Sequence, residues 1–166
     1  MDYFENEKKP VRLDHCSWKE IEEYLNSCKG IILPIGSTEQ HGPTGAIGTD
    51  AMTAEAIALE VGKRSGVLVA PVQSYGMAEH HLGFPGTISL RPSTLLKVVR
   101  DLLLSLAKHG FKRVFIINGH GGNIATIKAA FAEAYKMIET SETFLEKDFR
   151  CALKNWFLVP EIFQKA

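Results

Sequence analysis

Three apolar runs of strand length punctuate the chain: Ile31-Ile32-Leu33-Pro34-Ile35, Val67-Leu68-Val69-Ala70-Pro71-Val72 and Val114-Phe115-Ile116-Ile117. Each is bounded by Gly, Pro or polar breakers, and unbroken apolarity over so few residues predicts strands buried on both faces. Between the runs the pattern changes to a helical period. Ser17-Trp18-Lys19-Glu20 has the form of a capping box, with Ile21, Tyr24 and Leu25 following and Gly30 as the stop. Residues 51–63 carry Ala54, Ile57, Ala58 and Val61 as a buried stripe, closed by Gly66. Pro92 opens a helix running to about residue 109, with Leu95, Leu96, Val99, Leu102, Leu103 and Leu106 facing inward and Gly110 ending it. Residues 124–137 predict one more helix. Residues 152–157 read as a fourth strand, after a charged connection over 139–150. Strands alternating with helices in this way predict an α/β fold, a layered and mostly parallel sheet flanked by helices.

Two of the predicted strands run straight into loops that carry chemistry. After Ile35 the chain reads Gly36-Ser37-Thr38-Glu39-Gln40-His41-Gly42-Pro43, and Asp50 follows a further glycine-rich turn. Glu39 and His41 are two apart, so an extended segment points both to one side. The intervening glycines and Pro43 let Asp50 fold back to them. After Ile117 comes Asn118-Gly119-His120-Gly121-Gly122-Asn123. Open α/β sheets bind ligands at the carboxyl ends of their strands, so the two loops are expected to build one site there. Carboxylates with imidazoles suit zinc, manganese or iron, and an aspartate can bridge two ions. A solvated polar loop is the competing reading of Glu39, His41 and Asp50. The glycines around His120 also admit a phosphate cradle. Neither the dinucleotide fingerprint nor a P-loop lysine is present, however, and a cradle has no need of an imidazole. Residues 74–87 form a long stretch without periodicity, and loops of that length are commonly functional. They hold His80 and His81, whose side chains are expected to diverge so that only one faces the site. His109 reads as a helix C-terminal cation and His15 as a surface residue.

Composition narrows the partners. The 166 residues suit one domain, and equal numbers of basic and acidic residues, 19 each, give no bulk attraction to nucleic acid or anionic membrane. No apolar run approaches the ~20 residues of a membrane span, and the first ten residues have no signal-peptide core. Cys16, Cys28 and Cys151 lack paired spacing and read as reduced thiols of a cytoplasmic protein.

Taken together, the segments Leu33-Pro34-Ile35-Gly36-Ser37-Thr38-Glu39-Gln40-His41-Gly42-Pro43, Gly48-Thr49-Asp50, His81-Leu82-Gly83-Phe84-Pro85-Gly86-Thr87 and Asn118-Gly119-His120-Gly121-Gly122-Asn123 resemble the creatininase (creatinine amidohydrolase) family in order and spacing. The resemblance implies a homo-oligomeric, binuclear metal amidohydrolase that opens a C–N bond in a cyclic or linear small-molecule amide. By position it implies Glu39, His41, Asp50 and His120 as metal ligands and Asp50 as the bridging carboxylate. Separately, the length of the 74–87 loop and its Phe84-Pro85-Gly86-Thr87 element lead to the expectation that it walls the same cleft, with His81 as the catalytic residue nearest the substrate. Two departures stand out. Gly122 lies where creatininase has a glutamate, which argues against creatinine as substrate. No histidine follows His120, so residues 1–166 read as a single creatininase-like domain lacking the family's C-terminal segment. On that reading one ion keeps Glu39, Asp50 and His120 while a second keeps only His41 and Asp50. About one ion per chain is therefore expected. The alternative function is an inactive homologue serving as a binding or assembly subunit.

Overall fold

β1 (Gly30–Ile35) is the strand that the rest of the fold is built on, and it is buried from Ile31 onward. The computed structural model describes residues 11–144 and 147–159. The first ten residues and the late carboxylate Glu161 lie outside them. Four parallel strands form one sheet in the order β2-β1-β3-β4, with β2 at Leu68–Val69, β3 at Arg113–Asn118 and β4 at Arg150–Asn155. The helices are α1 (Trp18–Ser27), α2 (Thr49–Ser65), α3 (Pro92–Lys108) and α4 (Ile124–Thr140).

Side-chain alternation along the strands sorts the helices into layers. Ile31, Leu33 and Ile35 of β1 and Val114 and Ile116 of β3 face Leu95, Val99 and Leu103 of α3 and Ile127, Ala130, Ala134 and Ile138 of α4. Ile21, Tyr24 and Leu25 of α1 pack against the same cluster. On the opposite face Ile32, Val69 and Ile117 meet Ala58 of α2. The layered parallel architecture expected from the sequence is thus the one observed.

Several boundaries differ from the sequence reading, each for a local reason. α1 keeps its capping box but stops at Ser27, so Gly30 starts β1 instead of ending the helix. Tyr24 fixes that junction by donating its hydroxyl to Gly30 O at 2.7 Å and accepting Leu68 N–H at 3.2 Å. β2 is only two residues long: Ala70 N–H still reaches Ile32 O at 2.8 Å, but past Pro71 the pairing slips by one residue, so Gln73 and not Val72 donates to Pro34 O, at 3.0 Å. β4 begins two residues earlier than expected, in register with β3, and gives way at Trp156 to a 3₁₀ turn, so Trp156 and Phe157 are not strand. Val61 and Leu102, expected inside, are each 37% exposed at the margins of their helices. Among the described residues no helix is long and apolar enough to cross a membrane.

The topology places the site. From β1 the chain steps outward to β2, then crosses back to β3 on the other side of β1. The crevice at such a reversal lies at the carboxyl ends of the two central strands. Ile35 pairs with Asn118 there, so the loops that leave β1 and β3 emerge side by side.

Candidate metal centre

Close backbone packing brings the two loops together. Asp50 is the second residue of α2, in the first turn, where the helix N-terminus favours a carboxylate. A Cβ on Gly119 would collide with the Asp50 carbonyl oxygen, so only glycine lets the exit of β3 pass so near that turn. Two fully buried asparagines hold the arrangement. Asn123 donates to Gly36 O at 2.9 Å and to Asn118 Oδ1 at 3.2 Å, and accepts Met77 N–H at 2.9 Å. Asn118 donates to His120 O at 2.6 Å and to Asn155 Oδ1 at 2.8 Å. The loop over 74–87 therefore lies against the site. Thr87 reinforces this by accepting Gln40 N–H at 3.2 Å, and the Ile88 N–H reaches Thr38 O at 2.9 Å.

Glu39, His41, Asp50 and His120 converge. His120 Nδ1 lies 3.1 Å from Glu39 Oε1 and 3.1 Å from Asp50 Oδ2. His41 Nε2 lies 3.1 Å from Asp50 Oδ1. The far nitrogen of each ring meets a main-chain carbonyl: His120 Nε2 is 2.8 Å from Met77 O, and His41 Nδ1 is 3.1 Å from Glu39 O. A carbonyl only accepts, so those nitrogens carry the protons. In the neutral rings the inward nitrogens then present lone pairs to carboxylate oxygens, an arrangement that calls for a proton or a cation between them. Moreover, Glu39 Oε2 and Asp50 Oδ2 are buried without a hydrogen-bond donor. Carbonyl-fixed imidazoles facing a carboxylate whose two oxygens point to different rings fit a divalent ion well. With no thiolate in the set, zinc, manganese and iron all remain suitable.

Among the described residues, two groups of side chains offer donor atoms within 4.8 Å of one another: Glu39, His41 and Asp50, and Glu39, His80 and His120. The second corrects the expectation that only one of His80 and His81 faces the site. Both belong to a 3₁₀ turn, Glu79–His81, in which neighbouring side chains are about 120° apart instead of opposed. Their rings sit 4.1 Å apart, and His80 stacks on His120 at 6.0 Å and 9°. His81 is held by Gln40 Nε2 at 2.9 Å, and its own Nε2 is 3.9 Å from Glu39 Oε1. His109 caps the C-terminus of α3 and His15 is exposed on the surface, both away from the site as expected.

The glycines beside His120 have packing roles. A Cβ on Gly122 would collide with Met77 O, the carbonyl that holds His120 Nε2, so a larger residue there would displace this contact. That accounts for the glycine without a phosphate cradle.

Burial and charge set the protonation of the cluster in the metal-free chain. Desolvation raises the Glu39 carboxyl above its ordinary value, His120 opposes this, and Asp50 adds to it. Burial pulls the His120 imidazole down, but Asp50, the Met77 carbonyl and Glu39 together carry it above 6.5. Both folded-state values are raised, so the native metal-free chain binds more protons than the unfolded chain. Its stability is then fullest at acid pH and declines as pH rises through the two groups. A bound cation needs both groups deprotonated and reverses the trend. The expected result is a melting temperature in chelator that falls as pH rises from the ordinary carboxyl range through and beyond the ordinary imidazole range, and a metal-induced gain in melting temperature that grows over the same rise.

A parallel α/β sheet with buried carboxylates and imidazoles at its switch point defines a fold with a strand-end site of metal-ligating chemistry. A profile of the creatininase family, described as creatinine amidohydrolase, matches residues 14–165, and the chain belongs to that family. It is 29% identical over 144 residues to a 3-dehydro-scyllo-inosose hydrolase of Thermotoga maritima, covering 86% of this chain and 46% of that protein. It is 39% identical over 108 residues to a mycofactocin precursor peptide peptidase of Mycolicibacterium smegmatis, covering 61% and 43%. With the creatinine amidohydrolase of Pseudomonas putida it shares 35% identity over 121 residues, covering 69% and 46%. A solved manganese creatininase superposes with a TM-score of 0.85 at 29% identity, over 93% of this chain and 63% of that one. A mutant creatininase solved in a Zn–Zn form gives 0.83 at 29% identity, over 93% and 62%. The chain thus spans less than half the length of these curated relatives.

Proposed function

We propose that the chain carries a divalent metal centre of a creatininase-type amidohydrolase, acting on a C–N bond of a cyclic or linear small-molecule amide. The observation that carries this reading is Asp50: each of its oxygens faces a different imidazole, His41 and His120, and each imidazole is fixed by a main-chain carbonyl. Glu39, His41, Asp50 and His120 are the residues that would hold the metal. A divalent ion bound there supplies Lewis acidity toward a carbonyl and a water nucleophile near neutral pH. In the reaction water adds to the amide carbon, the C–N bond breaks, and the departing nitrogen takes a proton.

The attacking water brings that proton, and His81 is the residue proposed to orient the substrate and steady the developing charge through a hydrogen bond. Gly42 N–H donates to Gln40 Oε1 at 2.8 Å, so the amide's NH₂ end faces His81 Nδ1 and donates to it. His81 therefore carries its proton on Nε2, the nitrogen turned toward the cluster. With Gly122 in place of a carboxylate and Met77 O filling that space, creatinine is a poor fit as substrate. The relatives are named for 3-dehydro-scyllo-inosose, a mycofactocin precursor peptide and creatinine, so the assay panel spans small cyclic compounds and linear peptides. The same reading takes the protein as a cytoplasmic homo-oligomer with no nucleic-acid or membrane partner.

The test is turnover of a panel of cyclic and linear amides with added Mn²⁺, Zn²⁺ or Fe²⁺. Metal-dependent hydrolysis of one panel member is expected, and His81→Ala should lower kcat by about 10²–10³ while leaving metal content unchanged. Bound metal without hydrolysis of any amide would favour the binding or assembly subunit instead.

A further inference from the structure

We propose that His80 is a metal ligand, and that with it this chain holds two divalent ions where Glu39, His41, Asp50 and His120 alone would leave one ion short of donors. The inference rests on the metal centre proposed above and assigns a residue to it.

A catalytic zinc ordinarily has three protein ligands and an open position. Four ligands with one bridging carboxylate satisfy this for only one ion, and Gly122 has no side chain to help the other. The structure divides the donors differently. Glu39, His41 and Asp50 form one three-residue group, and Glu39, His80 and His120 form another. Glu39 is common to both and is well placed to serve both. It is 6% exposed, Oε1 touches His120 Nδ1, and Oε2 is buried with no hydrogen-bond donor. A buried carboxylate oxygen without a donor is destabilising unless something occupies it. His80 closes the second group from the open side. It is exposed, and it lies over His120 with the rings nearly parallel. An exposed imidazole at the mouth of a buried carboxylate–imidazole pair can complete coordination while leaving a position for substrate. The alternative role for His80 is that of a stacking partner for His120.

The two roles separate when His80 is replaced by a ring without donors. His80→Phe keeps the stack and removes both nitrogens, whereas His80→Glu removes the stack and restores a donor. Metal content after gel filtration and competition against a chromophoric chelator are read for the wild-type chain and both variants, with Mn²⁺ and Zn²⁺. A His109→Phe variant serves as the distant control. The wild-type and His109→Phe chains are expected to hold two ions. His80→Phe should hold one, or bind the second at least about tenfold more weakly, and His80→Glu should recover part of the loss. Melting in chelator shows whether each variant folds, and if His80→Phe does not, His80→Asn replaces it with the same expectation. Two ions held by His80→Phe as tightly as by wild type would overturn the proposal and leave His80 as a stacking group. One ion in wild type and in His80→Phe alike would overturn it as well. No ion in the wild-type chain would remove the metal centre itself, a distinct outcome from failure at His80.

Discussion

Asp50→Asn is expected to abolish tight metal binding while leaving the metal-free fold in place. The amide has the same shape as the carboxylate but one oxygen instead of two, and its NH₂ must face either His41 Nε2 or His120 Nδ1, both 3.1 Å from Asp50. Whichever ring meets the NH₂ then accepts from it and is lost as a ligand. One substitution therefore removes charge, one carboxylate donor and one imidazole together. An affinity loss of at least about 100-fold is expected, the upper end of what even outer-shell changes cause. Thermal shift reads this directly. At a metal concentration 100 times the wild-type Kd the ion stabilises the fold by about 2.7 kcal/mol, and a 100-fold weaker Kd leaves about 0.4 kcal/mol. The metal-free variant should melt close to wild type, because the amide relieves the repulsion of Glu39 while giving up the favourable interactions of Asp50 with His120 and the helix N-terminus. A metal-induced shift equal to that of the wild type would refute the role given to Asp50.

The largest expected effect on stability is at Gly119. Its added Cβ would run into the Asp50 carbonyl oxygen and lie 3.0 Å from the Asp50 carbonyl carbon, in the backbone of the first turn of α2. Neither side can yield as a flexible side chain would, because β3 is paired to β1 up to Asn118 and α2 is seated on the sheet. Gly119→Ala should cost about 3 kcal/mol, the upper range for forced overpacking, and lower the melting temperature by about 6–12 °C. Gly121→Ala is the control. Nothing lies within 4 Å of a Cβ there, and the change should stay within about 0.5 kcal/mol. Equal melting temperatures for the two variants would mean that the loop after β3 does not pass against α2 as described.

Much of this was legible in the chain itself. β1 and β3 announce themselves by unbroken apolarity, and each ends where a polar, glycine-rich loop begins. The strand-end rule then brings Glu39, His41, Asp50 and His120 to one place. What escaped the sequence is what depends on tertiary contacts or on main-chain atoms. Met77 fixes His120 through its carbonyl, which no side-chain pattern reveals. Asn123 ties Gly36, 87 positions away, and Met77, 46 positions away, so its role emerges only when β1 and β3 are adjacent. His80 turns toward the site because its loop makes a 3₁₀ turn, where a strand-like alternation would send it away.

The central claim is that Glu39, His41, Asp50 and His120 form a divalent metal site in this chain. It is tested most directly by elemental analysis of the purified 166-residue protein. The protein is loaded with Mn²⁺ or Zn²⁺, dialysed against metal-free buffer, and compared with Asp50→Asn treated in the same way. At least one equivalent of metal retained by the wild type, and none by the variant, is the predicted result. A wild-type chain that folds but keeps no metal after dialysis, or a variant that keeps as much as the wild type, would contradict it.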